Sequence, residues 1–139
     1  MSNLRFIDKS PVDRENIRVM PDETIEAFIE CANGEEIAGV IHSLAVNSIA
    51  VKLERVEMTE ICFEGDEKHV VISFDLPERE KRKTHIRISA ILRYKKADQL
   101  IFSIYPNHYF KQKIESYIAL QQTRLITIMQ KMVLNFYQG

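Results

Sequence analysis

The chain has 139 residues, of which 45% are hydrophobic and 28% are charged, so it fits one soluble globular domain with its own core. Its 19 basic and 20 acidic residues leave a formal charge of -1, which argues against general nucleic-acid binding because that function usually needs a strongly basic face. A local cluster of cations could still hold an anionic ligand, whatever the net charge.

The N-terminus and the cysteine content predict a cytoplasmic protein without a membrane span. The first residues, MSNLRFIDKSP, lack the apolar segment of a signal peptide, and no run approaches the ~18 apolar residues that a membrane span requires. Cys31 and Cys62 are too few for a disulfide framework or a cysteine-rich zinc site, so we expect two reduced thiols.

Residues 1–22 show no sustained periodicity and carry Pro11 and Pro21, so we expect an ordered or half-ordered arm. The barrel or sandwich proper is expected over residues 23–106. Its first strand is predicted by alternating apolar residues, namely Ile25, Ala27, Ile29 and Cys31. Asn33 and Gly34 both tolerate positive φ and predict a type I′ turn, after which residues 37–44 form the returning strand.

Four more strands are predicted from the segments SIAVKLERV, VVISFDLP, HIRISAILRY and LIFSIYP. Pro77 ends the fourth strand and Pro106 ends the sixth, because proline cannot donate to a sheet ladder. The charged segment EREKRKT is expected to form an exposed hairpin tip. Six short strands at hairpin distances, with no helical pattern between them, favour an antiparallel barrel or sandwich.

Residues 107–139 have a different period and predict a long amphipathic helix with Asn107 as its N-cap. Apolar residues recur there at steps of three and four: Phe110, Ile114, Tyr117, Ile118, Leu125, Ile128, Met129, Met132, Val133 and Phe136. Roughly 30 residues would span ~45 Å, whereas a domain of this size should be only ~35–40 Å across. The helix should therefore bend, break or extend beyond the barrel.

Gln121 interrupts this apolar stripe and divides the helix into two halves. The first half is expected to dock on the open end of the barrel as core. Past Gln121, the apolar residues Leu125, Ile128, Met132 and Phe136 would face water unless they cover a partner. For this half, the alternatives are therefore docking on the barrel as core and self-association or contact with a protein partner.

Two arginines stand four residues apart in the segment DRENIRVMPDE, ahead of the first strand. A guanidinium offers a planar fork of donors that pairs with phosphate oxygens or with guanine O6 and N7. Arg14 and Arg18 could thus hold a phosphate-bearing ligand. The alternative is that both lie on one short helical turn at the surface, paired with Asp13, Glu15 or Asp22.

The segment from Arg14 to Arg18, followed by Val19 and Pro21, resembles the RxxxR arm of PilZ domains. The ILRY strand, the IFSIYP strand and the helix containing YIALQQTRLITIM also resemble bacterial PilZ proteins, so the likeness covers nearly the whole chain. It implies a six-stranded antiparallel β-barrel with a long C-terminal α-helix. It also implies a ligand, the bacterial second messenger cyclic di-GMP.

The second PilZ motif, DxSxxG, is degenerate in this sequence. Ser43 stands in place of the aspartate, Ala45 in place of the serine and Ser48 in place of the glycine, with His42 and Asn47 as possible ligand neighbours. In the family the aspartate accepts hydrogen bonds from a guanine edge, and Ser43 carries no charge. A charge-assisted contact worth ~1.5–3 kcal/mol, or ~10- to 100-fold in affinity, is therefore weakened.

No pattern in the sequence predicts catalysis, a metal or a cofactor. The histidines lie far apart and form no HExxH motif; they are His42, His69, His85 and His108. The four glycines make no phosphate-cradling loop, and no nucleophile elbow is present.

The sequence therefore predicts a non-enzymatic receptor or adaptor whose arm closes on cyclic di-GMP, with ligand binding ordering the arm. The alternative is a module of the same fold that has lost the nucleotide and serves protein interaction or oligomerisation. A third hypothesis, an oligonucleotide-binding barrel, is weaker because Phe63, Phe74 and Phe102 lie in apolar segments that are expected to be core. We expect no nucleic-acid partner.

Overall fold

Residues 17–55, 63 and 68–138 are described by the computed structural model, which is a closed barrel followed by one helix. The strands are β1 (Glu26–Cys31), β2 (Glu36–Ala45), β3 (Ser48–Leu53), β4 (His69–Pro77), β5 (Lys83–Lys96) and β6 (Gln99–Tyr105), and the helix is α1 (His108–Gln138). All pairs are antiparallel in the order β1-β2-β3-β6-β5-β4, and β4 pairs with β1 to close the barrel. The predicted six-stranded antiparallel barrel with a C-terminal helix is confirmed.

Alternation of apolar residues along each strand fills the barrel interior, because successive side chains of a strand point to opposite faces. The alternating apolar residues of β1 and β5, together with Ile25 just ahead of β1, are buried: Ile25, Ala27, Ile29, Cys31, Ile86, Ile88 and Ala90. Phe74 and Phe102 are among the largest fully buried side chains, and the ring of Phe63 lies 6.2 Å from that of Phe102. Phe74 and Phe102 are core, as expected, and the half-buried Phe63 packs against that core, so the three do not form an exposed stacking platform.

The β1–β2 turn differs from the type I′ turn that was predicted for Asn33-Gly34. Only Gly34 has a positive φ, of 92°. The Gly34 N–H donates to the Cys31 carbonyl (3.0 Å), and the Cys31 N–H donates to the Glu35 carbonyl (2.8 Å). This is a three-residue hairpin loop, in which a type I turn is followed by one residue in the left-handed conformation. The Asn33 side chain stabilises it by accepting from the Glu35 N–H at 3.0 Å.

Cys31, at the end of β1, is disulfide-bonded. The expectation of two reduced thiols is therefore wrong for this residue. Its burial among the core side chains is compatible with either state, because free and bridged cysteines are both commonly buried. Cys62, the other cysteine of the sequence, lies outside the described residues.

The helix begins where the sequence predicts. The Asn107 side chain accepts from the Phe110 N–H at 2.8 Å, which is the N-cap contact, and Ile114, Tyr117 and Ile118 are buried against the barrel. The first half of the stripe is thus core. No helix in the described part of the chain combines the length and the apolarity that crossing a membrane requires.

Beyond Gln121 the helix extends past the barrel as one continuous element, which decides between the three expected outcomes. Gln121 is itself buried, and its amide donates to Asp22 Oδ1 at 3.2 Å. The Arg124 guanidinium donates to Asp22 Oδ2 at 3.1 Å. Asp22 therefore joins the end of the arm to the helix at the point where the helix leaves the barrel.

Candidate functional site

The described end of the arm lies along strand β2. Val19 forms an antiparallel bridge with Leu44, in which the Val19 N–H donates to the Leu44 carbonyl at 3.0 Å and the Leu44 N–H donates back at 2.9 Å. Ile17 and Val19 pack against the core, whereas Arg18 between them is exposed. The extended backbone thus directs two apolar side chains inward and the guanidinium to the outer face.

The Arg18 guanidinium is held by the two serines that flank the β2–β3 turn. Its Nη1 donates to Ser43 Oγ at 2.9 Å, and its Nη2 donates to Ser48 Oγ. The alternative in which Arg18 pairs with Asp22 on a helical turn is wrong: residues 17–20 are not helical, and Asp22 is engaged by the helix. An arm residue and a turn residue 30 positions later therefore meet directly.

A β-bulge in β2 explains why Ser43 faces the arm. Ile41 pairs with Val51 and Ser43 pairs with Ala50, so His42 is an extra residue in the ladder. The extra residue reverses the alternation: Ile41 and Leu44 are both core, and Ser43 lies on the outer face. Without the bulge, strict alternation from Ile41 would direct the Ser43 side chain into the barrel.

The other predicted site residues lie at the same turn. Ala45 pairs with Ser48 and is buried, and His42 is half-buried at the bulge. Asn47 is exposed at the turn, where its carbonyl accepts from the Ile104 N–H at 3.1 Å. Arg14 lies outside the described residues, so its part in the site stays a prediction.

Sequence reasoning missed a second arginine on the same outer face. Ser48 pairs across the β3–β6 ladder with Ser103, whose hydroxyl accepts from Arg93 Nε at 2.6 Å. The Arg93 Nη2 also donates to the Tyr105 hydroxyl at 3.1 Å. A bulge between Leu92 and Tyr94 makes Arg93 the extra residue of β5. Only the strand register brings these residues together, so no local signal in the sequence marks them.

The electrostatics of this face differ from those of the other arginine contacts. Arg87 forms a two-point ion pair with Glu30 (3.0 and 2.8 Å), and its hydrogen bonds hold the pKa of Glu30 below its usual value. Within the described part of the chain, neither Arg18 nor Arg93 has a carboxylate at ion-pair distance; both are held by neutral hydroxyls. Among the described residues, no carboxylate therefore compensates their positive charge.

A hydroxyl that accepts a hydrogen bond from a guanidinium still has its own hydrogen to donate. Ser48 and Ser103 are half-buried and can turn their O–H groups toward a bound group, whereas Ser43 is only 4% exposed and holds the Arg18 guanidinium in place. The face is rich in donors and suits an anion such as a phosphate.

The described residues offer little for metal chemistry. They contain no group of three or more His, Cys, Asp or Glu side chains close enough to hold a metal ion. His85 pairs with Asp75 at 2.8 Å on the exposed side of β4 and β5, away from the β2–β3 turn. His108 lies 3.1 Å from Gln112 in the first turn of the helix.

Comparison with known proteins shows similarity of structure and not of sequence. No family model matches the chain, and no curated protein matches it. The PilZ domain of YcgR from Escherichia coli, solved with c-di-GMP, matches 83% of this chain and 95% of its own at 10% identity and a TM-score of 0.52. The Bacillus subtilis inhibitor of motility MotI/DgrA matches 78% of this chain at 18% identity and a TM-score of 0.58, and the match spans half of that protein's length.

Proposed function

We propose that this chain, which has the fold of a PilZ domain, is a non-enzymatic cyclic di-GMP receptor that binds the dinucleotide at the β2–β3 turn. Arg14 and Arg18 take phosphates and guanine edges, and Ser43, Ala45 and Ser48 form the opposing wall of the site. The observation that carries the proposal is the seating of the Arg18 guanidinium on Ser43 and Ser48.

The geometry gives this proposal a physical basis. The arm bridge at Val19 and Leu44 holds the Arg18 backbone beside the turn, so little chain entropy is lost when a ligand reaches the side chain. A phosphate can replace the serine hydroxyls as the acceptor, because a charged acceptor forms a stronger hydrogen bond than a neutral one. Any ordering of the arm on binding concerns the residues ahead of Ile17, which are not described.

The proposal includes a route for output. Arg18 and Asp22 belong to one short segment, and Asp22 is bonded to Gln121 and Arg124 of the helix. A ligand that moves Arg18 would thus also move Asp22 and alter its hydrogen bonds to the helix, at the point where the protruding half-helix begins. The helix would carry the signal to a partner.

Isothermal titration calorimetry with cyclic di-GMP tests the proposal. We expect micromolar or tighter binding, and we expect Arg14→Ala and Arg18→Ala each to abolish it, since each removes a fork of charge-assisted donors. Arg87→Ala is the matched control because Arg87 is already occupied by Glu30. Absence of heat at high ligand concentration, with a folded protein, would rule the receptor out.

A second candidate function has an observation of its own. Seven apolar side chains of the protruding half-helix are between 53% and 64% exposed, and five of them belong to the predicted stripe: Leu125, Ile128, Met129, Met132 and Val133. We name this set the distal face. A patch of this kind is typical of an interaction surface, so the chain would serve self-association, with or without the nucleotide.

A further inference from the structure

The candidate site has a second end that the proposed function does not use. The contacts run from Arg18 to Ser48, across the ladder to Ser103, and on to Arg93. Paired residues of neighbouring antiparallel strands have Cβ atoms about 5 Å apart, so the two guanidiniums lie roughly 10 Å from each other. The serines between them form a row of hydroxyls on one face.

Both arginines have donors to spare. A guanidinium carries five N–H groups, and two of the Arg93 groups are engaged, one by Ser103 and one by Tyr105. The other three have no partner among the described residues, and the side chain is exposed to solvent. The two hydroxyl contacts restrict the orientation of the fork before any ligand arrives, which lowers the entropy lost on binding.

Aromatic rings flank Arg93. Tyr105 is 53% exposed and Tyr94 is 58% exposed, each with its ring available on the outer side of the barrel. Tyr105 also accepts from the Arg93 Nη2, which ties the ring and the guanidinium together. A base stacks on an exposed tyrosine ring or on a guanidinium plane, and each such contact is worth about 1–3 kcal/mol in single-stranded nucleic-acid complexes.

We propose that Arg93 is a ligand-binding residue, which contacts the phosphate that Arg18 does not reach while Tyr105 stacks on the adjoining base. The inference rests on the proposed function and extends it from the β2–β3 turn across β6 to β5. A cyclic dinucleotide fits this surface because it has two anionic phosphates and two bases. The second cation also offsets the loss of the charged acceptor at position 43.

Calorimetric titration of cyclic di-GMP into wild type, Arg93→Ala, Arg93→Lys and Arg87→Ala tests this proposal. We expect Arg93→Ala to bind about tenfold or more weakly and Arg93→Lys to recover part of the loss, because lysine keeps the charge but not the fork. Arg87→Ala, on the same strand but paired with Glu30, should bind like wild type.

A second readout separates ligand contact from a structural role. The slope of log Kd against log salt concentration should become shallower in Arg93→Ala, because a contact between two opposite charges, which salt screens, is lost. Tyr105→Leu, which keeps apolar bulk, should weaken binding severalfold without changing that slope. Arg93→Gln replaces Arg93→Ala if the latter does not fold.

The outcomes distinguish the two proposals. If wild type does not bind, the receptor function and the Arg93 inference both fail. If wild type binds, Arg18→Ala abolishes binding and Arg93→Ala behaves like Arg87→Ala, the receptor stands and the role of Arg93 is overturned. Weaker binding with the salt dependence unchanged would likewise show that Arg93 touches no phosphate.

Discussion

Ser43 determines the chemistry of the site at the scale of single residues. It lies on the outer face because of the His42 bulge, and it accepts from Arg18 at 2.9 Å. A hydroxyl at this position carries no charge to offset the guanidinium and provides no charged acceptor for the N–H groups of a guanine. The receptor proposal therefore predicts a site that favours phosphates and discriminates weakly between purines.

Replacing this hydroxyl by a carboxylate should raise base selectivity. In Ser43→Asp we expect the preference for cyclic di-GMP over cyclic di-AMP to increase by ~10- to 100-fold, because a carboxylate accepts strongly from the guanine N1–H and N2–H groups. Competition titration with the two dinucleotides measures the ratio. Ser73→Asp is the control, since Ser73 lies on β4, two strands away from β2, where it pairs with Arg87. An unchanged ratio in Ser43→Asp would contradict the placement of the base.

At the scale of secondary-structure elements, the first half of α1 buries Ile114, Tyr117 and Ile118 in the core. Tyr117 is only 2% exposed, and its hydroxyl makes no hydrogen bond of ordinary geometry to any residue that the structure describes. Burial raises the pKa of Tyr117 to about 12, and the charges of Asp22 and Glu23 raise it further, whereas Arg124 and the Gln121 amide lower it. The helix therefore buries a neutral phenol against the barrel, and burial of a hydroxyl without a hydrogen bond lowers the free energy of unfolding.

This phenol predicts a pH dependence at the alkaline end. An unfolded tyrosine ionises near pKa 10, so between about pH 10 and pH 12 the unfolded state loses its proton first and the free energy of unfolding falls. Two pKa units correspond to roughly 2.7 kcal/mol. Below pH 10 this group leaves the free energy of unfolding unchanged.

Tyr117→Phe should remove that alkaline loss and leave the protein as stable at pH 7, or more stable, because a buried hydroxyl without a partner is removed. Denaturant unfolding at pH 7, 10 and 11.5 measures both effects. Tyr109→Phe, at an exposed position of the same helix, is the control. A loss above about 2 kcal/mol at pH 7 in Tyr117→Phe would show that the hydroxyl is bonded in solution.

At the scale of the whole molecule, the barrel buries its apolar side chains in its own core, whereas the second half of the helix leaves its apolar side chains exposed. The barrel residues of β1 to β6 pair on both sides, so no strand edge is left. The distal face is left in water, and its exposed apolar side chains supply a driving force for association.

Self-association through the distal face is open to a direct test by multi-angle light scattering. We expect wild type to show a mass that is a multiple of 16.2 kDa, and we expect Leu125→Glu with Met132→Glu to reduce it to the monomer, because two buried charges oppose the interface. Thr123→Glu with Thr127→Glu adds the same charge outside the distal face and should leave the mass unchanged. A wild-type monomer at high concentration would contradict this function.

The features that local sequence patterns determine are confirmed in the fold. Alternation determined which residues of the strands face the core, as at Ile29 and Ile88, because burial selects one face of a pleated strand. Asn107 determined the start of the helix, since its side chain caps the first turn within the same segment. These effects act between residues a few positions apart, so they can be read without a three-dimensional structure.

What only the tertiary structure decided are the contacts that depend on register. The bulges at His42 and Arg93 arise within the strand ladders of a closed barrel, and they place Ser43 and Arg93 on the same outer face as Ser48. The likeness of the arm to PilZ domains identified Arg18 as a candidate ligand-binding residue. Its hydrogen bonds to two serines, however, depend on the Val19 bridge, which holds the arm beside β2. Pairing between distant segments is set by the sum of many packing energies across the barrel, and no local pattern contains that sum.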